Sequence, residues 1–341
     1  MAANLENPSG RMVDCLSPPR GKPAHPIRPG FPGQAHEAHD AGSKRVMDCS
    51  GISIEPCPAS EPKQSGPMCA FTVDVEDWYQ SSVDFDAPIT ERVVRNCESL
   101  LGLLDQRGIK GTFFVQGMVA QAFPSLVRTF IQQGHEVQSH GHSHRPLYQM
   151  NRVELERELE FSCKTVEDAA GVRVTTFRAQ DFSIHRDNIW ALELVAEAGF
   201  QIDSSVFAMR TKRYGIAGWP AGPARVRLRN GATLLEAPVA VVKYGAMSLP
   251  VAGGGYFRLI PQGLLFRALS SIIAIGRPAI VYCHPYEFAP DELDEFRGNV
   301  SPLFLQYQRL GRRQFAPRVR YLFDALPFGR MDSVLANWGV I

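Results

Sequence analysis

From Cys69 onward, short apolar runs alternate with longer stretches of helical periodicity, and that order leaves few architectures open. Ala70–Val75 reads as an apolar strand ending in acidic residues. Thr90 then caps a helix whose apolar stripe is Val93, Val94, Cys97, Leu101 and Leu104, stopped by Gly108. Further strands are predicted over Lys110–Val115, His135–Ser139, Val174–Phe177, Phe200–Asp203, Thr233–Ala237 and Pro278–Tyr282. Helices are predicted over Pro124–Gln133, Arg152–Ala170, Asp187–Ala198 and Pro261–Ile275, with a glycine-rich turn at Gly253–Gly255. Strands separated by helices of ten or more residues form parallel βα units, and about six or seven such units predict an α/β barrel rather than an open sheet. In such a barrel, chemistry lies where strands end and βα loops begin. The polar clusters of this chain fall at those ends.

The preceding stretch is different. Residues 1–66 are rich in Pro, Gly, Ser and His without strand or helix periodicity, so they are predicted to be disordered, with Met47 and Met68 as alternative starts. With 36 Lys and Arg against 35 Asp and Glu, the net charge of +1 implies no bulk attraction to nucleic acid or an anionic membrane. No apolar run is long enough to be a transmembrane segment. Met1 to Arg11 lack the apolar core of a secretory signal. The seven cysteines, at 15, 49, 57, 69, 97, 163 and 283, form no CxxC pair. Such a scattered, odd set reads as reduced thiols and predicts a cytoplasmic setting.

Four clusters can carry chemistry. His140-Gly141-His142-Ser143-His144 follows the strand His135–Ser139, and two imidazoles with one carboxylate make a divalent-metal site that leaves positions open for water. Three histidines in five residues at a strand end favour that reading over a solvent-facing loop. Asp74-Val75-Glu76-Asp77 ends the first strand; strand alternation puts Asp74 and Glu76 on one face, while Asp77 begins the loop. Hydrolysis at a metal needs one carboxylate as ligand and a second to take a proton from water. Arg178, leaving the strand Val174–Phe177, can pair with a catalytic carboxylate and keep it ionised. His284, after the last apolar strand, titrates near neutrality and can protonate a leaving amine.

Taken in order, these clusters resemble the polysaccharide deacetylases of the NodB-homology class, carbohydrate esterase family 4. Gly134-His135-Glu136-Val137 followed by His140 to His144 is similar to that family's G-H-E-[IV] strand and H-[ST]-x-x-H motif, departing at Gly141, where a small hydroxyl residue is usual. Arg178-Ala179-Gln180-Asp181-Phe182 looks like R-x-P-[YF] with its proline lost, and Tyr282-Cys283-His284 looks like the closing L-x-H. Thr72-Val73-Asp74-Val75-Glu76-Asp77 departs most from the opening T-F-D-D; its D-x-[DE] form is similar to a branch containing a peptidoglycan deacetylase and the metal-independent allantoinases. Val-Asp-Val-Glu-Asp-Trp, His-Pro-Tyr-Glu-Phe and Gly253–Arg258 together look like a subgroup encoded with bacterial exopolysaccharide export systems.

The resemblance implies a distorted (β/α)7-type barrel over 67–289 and a helical C-terminal extension over 290–341. It also implies removal of N-acetyl groups from an N-acetylhexosamine-containing polysaccharide at a divalent ion, most simply Zn2+. His140, His144 and either Glu76 or Asp77 would be ligands, with Asp77 slightly favoured as the counterpart of the family's second aspartate. Asp74 would be the base, Arg178 its orienting partner and His284 the acid, with Asp203 tuning that histidine. Trp78, Tyr79 and Tyr256 are candidates for stacking on sugar faces. Competing readings are an allantoinase-like cyclic amidase on the same fold and an inactive carbohydrate-binding homologue.

Overall fold

Cys69–Val75 is buried along its whole length, as a strand between parallel neighbours must be. The computed structural model describes residues 46–47, 51–63, 66–209, 211, 214–244 and 247–341. In chain order the strands are β1 (Val46–Met47), β2 (Ser53–Pro56), β3 (Cys69–Val75), β4 (Thr112–Val115), β5 (Glu136–Ser139), β6 (Thr176–Phe177) and β7 (Ile202–Asp203). They continue as β8 (Ala224–Arg227), β9 (Thr233–Glu236), β10 (Val241–Tyr244), β11 (Met247–Pro250), β12 (Ala279–Cys283) and β13 (Phe328–Gly329). The main sheet runs β1-β2-β8-β9-β7-β6-β5-β4-β3-β12, with β13 also on β3, and it is parallel from β9 through to β12. Beyond β9 the chain reaches β12: Ala240 N–H donates to Ile280 O at 2.8 Å and Tyr282 N–H to Ala252 O at 2.7 Å. The ring is therefore distorted where irregular backbone replaces a regular strand pair. Gly253 makes that approach possible, because a Cβ there would lie 1.7 Å from Tyr282 O.

The helices alternate with the parallel strands as their periodicity requires. Arg92–Asp105 buries Val93, Cys97, Leu101 and Leu104, and Arg152–Ala170 opens on a capping box made by Asn151 and Glu154. Among the described residues no helix is long and apolar enough to cross a membrane.

One departure from the sequence expectations concerns the N-terminal segment. The patternless segment was expected to run to residue 66, but β2 pairs antiparallel with β8, and Ile52 and Ile54 are buried in the main core. The remainder of that expectation, from 1 to 45, lies outside the described residues. The C-terminal stretch is helical over Pro302–Arg309, Phe315–Ala325 and Met331–Asn337, as expected, and it packs into the barrel. Its β13 pairs with β3, and Met331, Val334, Leu335 and Trp338 are buried in the same core.

Every polar cluster sits at the carboxyl end of a parallel strand. Glu76 follows β3, His140 follows β5, Arg178 follows β6, Asp203 ends β7 and His284 follows β12.

Candidate metal centre and active site

Glu76, His140 and His144 converge, with one potential ligand atom from each lying within 4.8 Å of the others, and all three are buried. His140 Nδ1 lies 2.9 Å from Arg178 O, a contact that places the ring proton on Nδ1 and leaves Nε2 facing the site. That Nε2 is 3.6 Å from Glu76 Oε2, and His144 Nε2 touches the same oxygen. The other carboxylate oxygen, Glu76 Oε1, accepts from Tyr286 Oη at 3.0 Å and Ser81 Oγ at 3.2 Å. Apart from those two rings, Oε2 has no partner among the described residues, so a buried acceptor and two imidazole nitrogens point at one place. This donor set fits a divalent cation. Burial alone would raise the Glu76 pKa, but the charges of His144 and His284 and hydrogen bonds from His140 and His144 hold it well below the usual carboxylate range.

Asp74 lies beside this centre. Arg178 Nη1 donates to Asp74 Oδ1 at 2.8 Å and to Thr72 Oγ1 at 2.7 Å, while Nη2 donates to Ser204 Oγ at 3.0 Å. The guanidinium also lies 4.0 Å from the Phe114 ring centre. Fixed on several sides and wholly buried, Arg178 has one orientation to offer its carboxylate.

His284 approaches from β12. Its Nε2 is 3.7 Å from Glu76 Oε1, its ring stacks on Tyr286, and its Nδ1 lies 3.3 Å from Glu287 Oε2. Burial disfavours the imidazolium, but Glu76, Glu287 and Asp74 outweigh it and raise the pKa to about 9. Asp74, Glu76, His140, His144 and His284 all line one cavity of about 350 Å³, walled further by Tyr214, Tyr256, Arg258 and Tyr307.

The site rearranges several expected roles. The Asp77 carboxylate turns away from the histidines: Oδ1 accepts from Tyr79 N at 3.0 Å, and Oδ2 accepts from Thr90 N at 3.1 Å and from the Thr90 hydroxyl. Its position at the N-cap of the helix Trp78–Ser82 dictates that direction. Asp203 does not serve His284; it accepts from Ser205 Oγ at 2.6 Å and shares a hydrogen bond with Glu236. Glu287 makes the contact with His284 that was foreseen for Asp203, and its His284-x-x-Glu287 spacing, that of a capping box, is the signal for it. Trp78 is core, stacked among Phe296 and Phe304, and Tyr79 stacks on Phe296. Tyr256 does line the cavity, its hydroxyl 2.7 Å from that of Tyr214.

Residues 68–202 match the family described as Polysaccharide deacetylase. That segment of the chain, 68–202, is similar to the polysaccharide deacetylases. Residues 204–336 match a second family, Domain of unknown function (DUF3473). Chitin deacetylase 1 of Cryptococcus neoformans var. grubii is 34% identical over 79 residues, covering 23% of this chain and 17% of that protein. A peptidoglycan-N-acetylglucosamine deacetylase of Listeria monocytogenes is 33% identical over 79 residues, again covering 23% of this chain and 17% of that protein. The match thus spans less than a fifth of either relative. Among solved structures, a Mycobacterium smegmatis protein described as a polysaccharide deacetylase shares the fold at TM-score 0.52 and 22% identity, covering 84% of this chain and 96% of that one. Puue allantoinase does so at TM-score 0.55 and 14% identity, covering 83% and 94%.

The two matched segments are not two bodies. Glu76, His140 and His144 come from the first, whereas His284, Glu287, Tyr256 and Tyr307 come from the second, and β12 lies directly against β3.

Proposed function

We propose that this protein is a metal-dependent hydrolase that removes N-acetyl groups from an N-acetylhexosamine-containing polysaccharide. The reading rests above all on the convergence of Glu76, His140 and His144 in a cavity that also receives Asp74 and His284. Zn2+ suits two imidazoles and one carboxylate. Such a cation supplies Lewis-acid polarisation of an acyl carbonyl and lowers the pKa of water. The chain's own residues do the rest. Asp74, held by Arg178, takes the proton of the attacking water as its oxygen bonds to the acetyl carbon. His284 gives its proton to the amide nitrogen as the C–N bond breaks, leaving acetate and a free amine. Glu287 and Asp74 beside the ring favour its protonated form. Glu287 orients the imidazole through Nδ1. Exopolysaccharide is the polymer we favour, on the Gly253–Arg258 segment whose Tyr256 and Arg258 wall the cavity.

The test is acetate release from N-acetylhexosamine oligomers by the purified protein, stripped of metal and then reconstituted with zinc. Activity should vanish and return, and Asp74→Asn should keep its metal while kcat falls by about 10²–10⁴-fold. Hydrolysis of a cyclic amide by metal-free protein would favour the allantoinase-like reading instead.

A further inference from the structure

The residues between the two candidate ligand histidines are held by a side chain from another element. Glu158, on the helix Arg152–Ala170, presents its Oε1 to four donors. The backbone N–H groups of His142 and Ser143 each donate to it at 2.7 Å, the Ser143 hydroxyl at 3.1 Å, and Gln180 Nε2 at 2.9 Å. Gln180 is fully buried and stands against Gly141, where a Cβ would lie 1.9 Å from Gln180 Nε2. The loop needs such support. His144 has φ +63°, a left-handed conformation that a non-glycine residue keeps only where its surroundings fix it. Gly141, where the family pattern has a small hydroxyl residue, and Gln180, where it has proline, are thus the two faces of one contact.

We propose that Glu158 and Gln180 are positioning residues of the metal-binding loop, setting cation affinity by holding the backbone 141–144 without touching the ion. The inference rests on Glu76, His140 and His144 being the metal centre. A loop freed from Glu158 spends less time in the ligating conformation, and apparent affinity falls in proportion to that fraction. Groups that orient metal ligands typically contribute about 10–100-fold in affinity.

The experiment titrates zinc into metal-stripped full-length protein and follows amide exchange at His142 and Ser143. Glu158→Ala should weaken zinc by about 10–100-fold and speed exchange at both amides. Gln180→Ala should weaken it by a smaller factor, and Glu160→Ala, on the exposed face of the same helix, should bind like wild type. Folded Glu158→Ala with wild-type affinity would overturn the inference; if that variant does not fold, wild-type affinity in Gln180→Ala overturns it. A wild-type chain that takes up no zinc contradicts the metal centre itself, a different result from equal binding in wild type and variants.

Discussion

At the scale of residues, burial decides which carboxylates work and which merely fold. Five acidic side chains, Asp74, Glu76, Asp77, Asp203 and Glu236, are almost wholly buried at the carboxyl ends of the strands, and each finds a different solution. Asp74 takes Arg178, Glu76 faces two imidazoles and Asp77 caps a helix. Asp203 and Glu236 face each other across paired strands with few donors: among the described residues Glu236 Oε2 has none unless a proton is shared between the two carboxyls. Burial, then the neighbouring Asp203 charge, pushes Glu236 well above its ordinary range. A carboxyl raised in the folded state contributes stability below its ordinary pKa and loses it as pH rises through the raised value. Glu236→Gln supplies a permanent donor and should therefore flatten the decline of stability on the alkaline side. Melting temperatures of both proteins from pH 5 to 9 check this; parallel curves would show that the pair does not share a proton.

At the scale of elements, periodicity was the legible part. Long helices such as Arg152–Ala170, and strands buried on both faces such as β3 and β12, announce themselves by composition and length. Short elements did not. Ile52-Ser53-Ile54-Glu55 alternates for only four residues between a glycine turn and prolines, so β2 was invisible until its partner β8 was known. The cost of that omission can be measured. Deletion of residues 1–66 removes two buried isoleucines and a strand pair, each side chain contributing about 1.5–3 kcal/mol. Its melting temperature should fall by several degrees below that of a deletion ending at residue 45; equal values would mean β2 adds nothing. The site was legible to the same degree. Motif and strand-end position yielded Asp74, His140, His144, Arg178 and His284, but the choice between Glu76 and Asp77 depends on where the helix Trp78–Ser82 begins, and its five residues leave no periodic trace. Glu158 lies in the middle of a helix whose exposed face is full of acids, so nothing in the sequence sets it apart.

For the whole molecule, one barrel is assembled from both matched segments. Residues 68–202 carry β3 but not β12 or β13, the strands that cover it, and not His284. Expressed alone, residues 68–203 should fail to unfold cooperatively, whereas residues 51–341 should melt in a single transition; a cooperative, soluble 68–203 fragment would contradict this. Holding β3 between two halves of the chain fixes Asp74 and Glu76 against histidines delivered by β5 and β12, and the proposed chemistry depends on that junction. The direct measurement is metal content per chain in wild type, Glu76→Gln and Asp77→Asn, each purified and reconstituted with zinc alike. One zinc in wild type and in Asp77→Asn, with little or none in Glu76→Gln, is the expected result. A full site in Glu76→Gln and an empty one in folded Asp77→Asn would contradict it.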